Sequence, residues 1–335
     1  MTSLEICAGG GGQALGLEMA GFDHAALVEV DAHACATLRF NRPHWKVLHQ
    51  DIRDFHAGQY RGVDLLAGGV PCPPFSKAGL QLGSDDERDL FPEALRLVEE
   101  CSPRAVMLEN VRGLLDPQFD DYRERINLRL RSLGYAPRWK LLQASDFGVS
   151  QLRPRVVMVA MRDDIAAYFD WPGPRAEPPA TVGQVLESAM GTLGWEGACA
   201  WAAGANAIAP TLVGGSKKHG GPDLGPTRAR KAWAALGVDG LGLADTPPLP
   251  GFTGMPKLTV PMAAALQGFP PSWRIAGRKT AAYRQVGNAF PPPVAAAVGK
   301  AIVAALRTFD QEQSREAATR RWQPVLVREP SFAVT

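Results

Sequence analysis

The chain has 335 residues, 46% hydrophobic and 21% charged, which is the composition of a globular protein able to bury a sizeable core as one large or two modest domains. A net charge of +2 lies too close to zero to announce a nucleic-acid partner, so any such argument must come from local charge. No apolar run approaches the ~20 residues needed to cross a bilayer, no basic leader precedes Leu4, and the five cysteines are scattered with no CxxC pair or Cys/His cluster. This pattern argues against a zinc site and a disulfide framework and suits a reducing cytoplasm.

Along the first half, short apolar runs alternate with stretches of helical spacing. Buried strands are expected at Leu4–Ala8, Ala26–Val30, Val63–Ala67, Ala105–Leu108 and Val156–Met161, with helices at Ala32–Asn41 and Pro92–Glu100. This alternation predicts an α/β fold, a doubly wound, mostly parallel sheet with its ligand site at the strand carboxyl ends. The composition changes near Asp170, where Asp170–Ala180 contains four prolines and can be neither a regular helix nor a central strand. Gly/Pro-rich sequence of little periodicity continues to about Met255, and Ala-rich helical patterning returns at Thr259–Ala265 and Pro293–Leu306. The expected organisation is a catalytic, cofactor-binding domain over 1–174, a smaller irregular domain over 175–282, a return to the first domain over 283–306, and a tail over 307–335.

The segment Glu5–Gly21 (EICAGGGGQALGLEMAG) sets a glycine run between a strand and a helix, where the backbone can turn tightly and bring a ligand to the helix N-terminus. A dinucleotide, a nucleoside or a plain tight turn would each fit it. Glu29, Val30 and Asp31 end the next strand, where a carboxylate can accept from ribose hydroxyls. Asp51, followed by Ile52, falls where it could accept from an adenine amino group. Together these residues describe an adenosine pocket and leave NAD and S-adenosylmethionine undistinguished.

The next segment separates the two. Asp64–Ser76 (DLLAGGVPCPPFS) places Cys72 just beyond a buried strand in a loop stiffened by Pro71, Pro73 and Pro74, unlike a structural thiol inside an apolar element. Val70–Ser76 followed by Met107–Val111 (MLENV) resembles the active-site signature of the DNA (cytosine-5)-methyltransferases. The resemblance runs along almost the whole chain in the family's order: Glu5–Gly12, Glu29–Asp31, Asp51–Ile52, Asp89–Phe91, Asp146–Gly148 through Gln151–Arg155 (QLRPR), Lys257–Thr259 and Gln285–Ala289 (QVGNA). Only the stretch from about Arg175 to Met255 lies outside it.

The resemblance implies a Rossmann-like, S-adenosylmethionine-dependent methyltransferase with a target-recognition domain. It implies Cys72 as nucleophile and Glu109 as the group that donates a proton or hydrogen bond at N3 of cytosine. Asn110 would position the Pro71–Cys72 loop, and Arg153 and Arg155 would orient the base carbonyl and the active-site backbone. Ala8, Gly9, Gly11, Gly12, Glu29, Val30, Asp51, Ile52, Leu90, Asn288 and Ala289 would hold the cofactor, with S-adenosylhomocysteine as product and no metal. The family usually carries an aromatic residue where Cys7 stands, and often one at Val30, which implies a less aromatic adenine pocket here.

A ring stacked in duplex cannot be attacked from its face, so the base should be flipped out; the resemblance implies that Lys77–Arg88, otherwise an ordinary polar surface loop, closes over it, with Ser76 and Arg88 on the DNA. Thr211–Lys231 has five Lys/Arg and one Asp, and its glycines and prolines predict loops rather than a recognition helix. Lys217, Lys218, Arg228 and Arg230 there are the candidates for phosphate and guanine contacts. The expected partner is double-stranded DNA, with a cognate restriction endonuclease acting separately, no membrane, and a monomeric cytoplasmic enzyme. A tRNA cytosine-5 methyltransferase of the same fold is the alternative, although the Cys-Phe-Thr element usual there is missing. An inactive DNA-binding relative should have lost Cys72 or Glu109. A dehydrogenase would not explain the Pro-Cys and Glu-Asn-Val pair, and an adenine amino-methyltransferase would carry Asp or Asn before Pro73-Pro74-Phe75.

Overall fold

A computed structural model describes residues 1–71, 89–214 and 223–321. Among the described residues, seven strands form one sheet in the order β3-β2-β1-β4-β5-β7-β6. They are β1 (Thr2–Ile6), β2 (Asp23–Glu29), β3 (Val47–His49), β4 (Leu65–Gly69), β5 (Ala105–Val111), β6 (Tyr135–Gln143) and β7 (Pro154–Arg162). β1 through β5 pair in parallel, whereas β7 runs antiparallel between β5 and β6. The expected strands are therefore present with shifted ends, and β3 and β6 are additions. β6 (YAPRWKLLQ) is an edge strand with charged and partly exposed positions and a proline, so it has no continuous apolar run.

Helices cover both faces of the sheet, as buried parallel strands require. α1 (Gly12–Ala20) and α10 (Pro292–Arg321) cover one face, through Leu17, Val294, Val298 and Ile302, with Phe22 just after α1 in the same core. α3 (Phe91–Cys101) and α4 (Asp120–Ser132) cover the other, through Phe91, Leu97, Ile126 and Leu130. α1 and α10 pack closely because Gly16 has no side chain: a Cβ there would lie 2.4 Å from the Pro292 carbonyl oxygen. α2 (Ala32–Asn41) follows β2 with the predicted bounds, capped by Asp31 Oδ1, which accepts from the backbone N–H groups of His33 and Ala34 at 2.9 and 3.1 Å.

Two expectations are corrected. Among the described residues, the stretch of weak periodicity holds three helices, α5 (Val182–Gly191), α6 (Ala198–Gly204) and α7 (Thr227–Ala234). Thus Arg228, Arg230 and Lys231 stand on a helix, whose apolar face is anchored by the fully buried Trp233. Helix formation there follows from tertiary packing onto Trp233, which a loop-like composition conceals. The final helix also does not stop near Leu306: α10 continues to Arg321, and residues 311–319 are exposed. The most apolar window within Lys279–Thr319 is 72% buried inside the fold, so its hydropathy reflects a core helix.

α8 (Val260–Leu266) and α9 (Lys279–Asn288) bring the chain back to the first strands. A core containing Leu186, Trp195, Leu212, Trp233, Leu258 and Phe269 is continuous with Leu27, Leu38 and Trp45 beside the sheet. Trp273 ties the two together, packing 6.1 Å from the Trp45 ring and donating from its indole N–H to the Gly10 carbonyl at 3.0 Å. Gln285 of α9 packs against the glycine loop, its Cβ 3.1 Å from where a Cβ on Gly10 would stand.

Candidate active site

A cavity of about 1030 Å³ opens at the carboxyl ends of β1, β2, β4 and β5, above the usual ~300–1,000 Å³ of a small-molecule pocket and large enough for a nucleoside cofactor with a second ring. One wall is the turn from β1 to α1. Ala8, Gly9, Gly10 and Gly12 line it, with no side chain beyond a methyl to keep a ligand from the backbone. Gly11 does not line the cavity. It is the N-cap of α1 at φ 85°, and a Cβ would come within 2.7 Å of both Leu38 and Trp273. Gly11 serves the turn through its backbone and its close packing, and Gly10 is a lining residue that sequence reasoning passed over.

Glu29, at the end of β2, is 8% exposed. Its two oxygens accept from the backbone N–H groups of Gly9 and Asp31, each at 2.7 Å. The carboxylate is thus fixed in orientation while each oxygen keeps a lone pair for a ligand hydroxyl. Val30, Asp51 and Ile52 line the same end. Asp51 is held by Arg53, through the backbone N–H at 2.9 Å and the guanidinium at 3.0 Å. Asp31 pairs with Arg284 of α9 at 3.0 Å, and both line the cavity. Cys7 also lines it, at φ 51°, and burial, with Glu29 and Asp51 nearby, pushes its thiol well above the usual range.

At the other end stand Val70, Pro71, Glu109, Asn110 and Arg155. Glu109 on β5 and Arg155 at the start of β7 come from antiparallel neighbours, and Arg155 Nε lies 2.8 Å from Glu109 Oε1. Glu109 is 7% exposed, and burial raises its carboxyl above the ordinary range, with Arg155 and Arg153 opposing the shift. A carboxyl so placed can keep its proton and offer it as a donor. Asn110 donates from Nδ2 to the Val70 carbonyl at 2.8 Å, fixing the backbone just before Pro71. The Leu90 N–H donates to the Pro71 carbonyl at 3.2 Å, so the two ends of the segment 72–88 meet at this wall. Leu90, Asn288 and Ala289 also line the cavity. Cys72, Ser76 and Arg88 lie outside the described residues, as do Lys217 and Lys218.

Of the two roles expected of Arg153 and Arg155 together, Arg153 has contacts of the backbone kind. It is fully buried and outside the cavity lining. Nη1 donates to the Leu212 carbonyl at 2.6 Å, and Nη2 donates to the Gly287 and Ala289 carbonyls at 2.6 and 3.0 Å. It joins the entry to β7, the segment that ends at Gly214, and the end of α9. Sequence reasoning also missed Gln13, Arg284, Gln285 and Phe290, which line the cavity. Their only signal was adjacency to the glycine run and to QVGNA. On α7, Arg228 is exposed, and Arg230 is half-buried, donating to Thr227 Oγ1 at 3.2 Å. Among the described residues no group of three or more His, Cys, Asp or Glu could hold a metal ion.

The family described as C-5 cytosine-specific DNA methylase matches residues 1–213 and 244–304, leaving unmatched a stretch that contains α7. The chain is 57% identical over 318 residues to Type II methyltransferase M.NaeI of Lentzea aerocolonigenes, covering 93% of this chain and 77% of the relative. It is 56% identical over 309 residues to Type II methyltransferase M.NgoMIV of Neisseria gonorrhoeae, covering 91% and 98%. Its fold is similar to the solved Entamoeba histolytica methyltransferase EhMeth, with a TM-score of 0.64 at 13% identity over 91% of this chain and 98% of that one. The chain belongs to the C-5 cytosine-specific DNA methylase family.

Proposed function

We propose that this enzyme methylates C5 of a flipped-out cytosine in duplex DNA, in a Type II modification role, through covalent addition of Cys72. The observation that carries the reading is one cavity holding two chemistries, the fixed Glu29 carboxylate at one end and the buried Glu109–Arg155 pair at the other. The residues fit S-adenosylmethionine. A wall without side chains at Gly9, Gly10 and Gly12 admits the ligand to the backbone, Glu29 is free to accept from two ribose hydroxyls, and Asp51 and Ile52 close on the adenine. When bound, the sulfonium supplies an electrophilic methyl group.

Cytosine C5 is too electron-poor to attack that methyl unaided. Addition of the Cys72 thiolate at C6 makes C5 enamine-like, splitting one hard step into easier ones. Glu109 donates a hydrogen bond or proton at N3, drawing electron density from C6, and its burial keeps the proton available. Arg155 holds Glu109 in place and offers its remaining N–H groups to the base carbonyl. After transfer, loss of the C5 proton restores the C5–C6 double bond and expels Cys72. Arg228 and Arg230 on α7, with Lys217 and Lys218 before it, supply the positive charge for DNA. The enzyme works as a monomer, and its cognate endonuclease acts as a separate protein.

Base-resolved methylation mapping of plasmid DNA from expressing cells tests this reading. It predicts 5-methylcytosine at one recurring duplex sequence. Methylated tRNA with unmodified DNA would favour the tRNA reading and overturn this one.

A further inference from the structure

α7 is anchored from one side. Trp233 and Leu236 are buried beneath it, and a Cβ on Gly225 would stand 3.1 Å from Val213 and 3.2 Å from Ala229, so the helix packs beside Val213. The next residue, Gly214, lies against Asn288 of the cavity wall. With ~3.6 residues per turn, the side opposite Trp233 carries Arg228, Lys231 and, at the C-cap, Ala235, all exposed. Among the described residues neither of these two cationic side chains makes a hydrogen bond or ion pair. The surface arginines of α4 are paired instead, Arg123 with Asp120, Arg129 with Glu99 and Arg131 with Glu124. The first turn of α7 also holds no acidic residue, and it carries Arg228 where the helix dipole disfavours a cation. Arg230 is turned aside, half-buried against Gly240 and donating to Thr227 Oγ1.

We infer that α7 is a base-reading helix whose Arg228 and Lys231 bind the major-groove edges of two adjacent guanines, an inference that rests on the reading of duplex DNA as the substrate. The major groove, ~12 Å wide, admits one helix. Ala232 and Ala235 keep the leading side of α7 slim, so its backbone can approach the base edges. Guanine presents two acceptors there, O6 and N7, which suit side chains that only donate, as those of arginine and lysine do. Three residues of helix rise ~4.5 Å, close to the ~3.4 Å step between base pairs, so the two cations meet neighbouring pairs. Trp233, fully buried beneath the helix, fixes the angle at which this ridge stands out. The family match ends at residue 213 and resumes at 244. α7 therefore lies where enzymes sharing a cofactor and a reaction differ, and the choice of bases is what must differ among them. Arg230, set to one side, serves the DNA backbone.

The test replaces guanines one at a time with 7-deazaguanine, which pairs normally but lacks the N7 acceptor, in the duplex sequence that the enzyme methylates. Wild type should bind about tenfold or more weakly when either of two neighbouring guanines is replaced. Arg228→Ala should weaken binding to the unmodified duplex by a similar factor, and should then be indifferent, within about twofold, to 7-deazaguanine at one of those positions. Lys231→Ala should be indifferent at the other. Arg230→Ala should stay as sensitive as wild type at both. Arg228 and Lys231 are exposed, so Tm and S-adenosylhomocysteine affinity should not change; Arg228→Met and Lys231→Met carry the same expectations should an alanine variant misfold. Losses from side chain and base that multiply at every position, or a wild type insensitive to every replacement, would overturn the assignment and leave α7 a phosphate contact. Wild-type protein that neither binds nor methylates unmodified duplex would instead overturn the substrate reading beneath it.

Discussion

Replacing Glu109 with glutamine perturbs one property of the site while keeping its shape. The side chain is 7% exposed, and its Oε1 lies 2.8 Å from Arg155 Nε. A glutamine oxygen can still accept that N–H, but its amide cannot give up a proton at N3. Loss of a positioned general acid costs about 10²–10⁴ in rate, or about 2.7–5.4 kcal/mol of barrier. The loss of a counter-charge beside Arg155 is partly offset, because burial already raises the Glu109 carboxyl and favours its neutral form. A stability cost of about 1–3 kcal/mol is expected, small enough to leave a domain of ordinary stability folded.

The pH dependence has a definite sign. Glu109 works as its protonated form, so its contribution to the wild-type rate is present below its raised pKa and is lost as pH rises through it. Stability follows the same direction: a carboxyl raised on folding contributes below its unfolded pKa, and that contribution is lost as pH rises through the folded one. Glu109→Gln lacks both dependences, so the stability difference between wild type and variant narrows as pH rises. Single-turnover transfer of labelled methyl groups into duplex DNA, followed across pH beside thermal melting, measures both. A variant within about tenfold of the wild-type rate, with the same alkaline limb, would refute the role given to Glu109.

Two further outcomes follow from the geometry. Glu29→Gln turns one of the two accepting oxygens into a donor facing a backbone N–H at 2.7 Å; cofactor affinity should fall about 10- to 100-fold, the cost of lost charged hydrogen bonds, and calorimetry showing unchanged affinity would remove Glu29 from the site. Arg228→Ala with Arg230→Ala should flatten the dependence of DNA affinity on salt by up to about two counterions, while S-adenosylhomocysteine binding stays unchanged; an unaltered salt slope would remove α7 from the DNA surface.

Legibility in the sequence followed how local each signal was. The glycine turn, Glu29 and the Glu109–Asn110 pair were readable because each lies at a strand end and its chemistry rests on immediate neighbours. The partners of Arg153 were not legible because its bonds reach Leu212, Gly287 and Ala289, which are 59, 134 and 136 residues away. An arginine in a local motif reads as a surface or site cation, and nothing nearby tells that carbonyls from distant loops will bury it. α7 was hidden by flanking glycines and prolines, and β6 by its position at the sheet edge.

The central claim is that Cys72 bonds to cytosine. Duplex DNA carrying 5-fluorocytosine in the methylated sequence, incubated with the enzyme and S-adenosylmethionine, tests it directly, because no C5 proton can leave and the adduct persists. Peptide mapping of the trapped complex should place the nucleotide on Cys72. An enzyme preparation active on normal DNA that forms no adduct, or forms one on Cys7, Cys35, Cys101 or Cys199, would contradict the account.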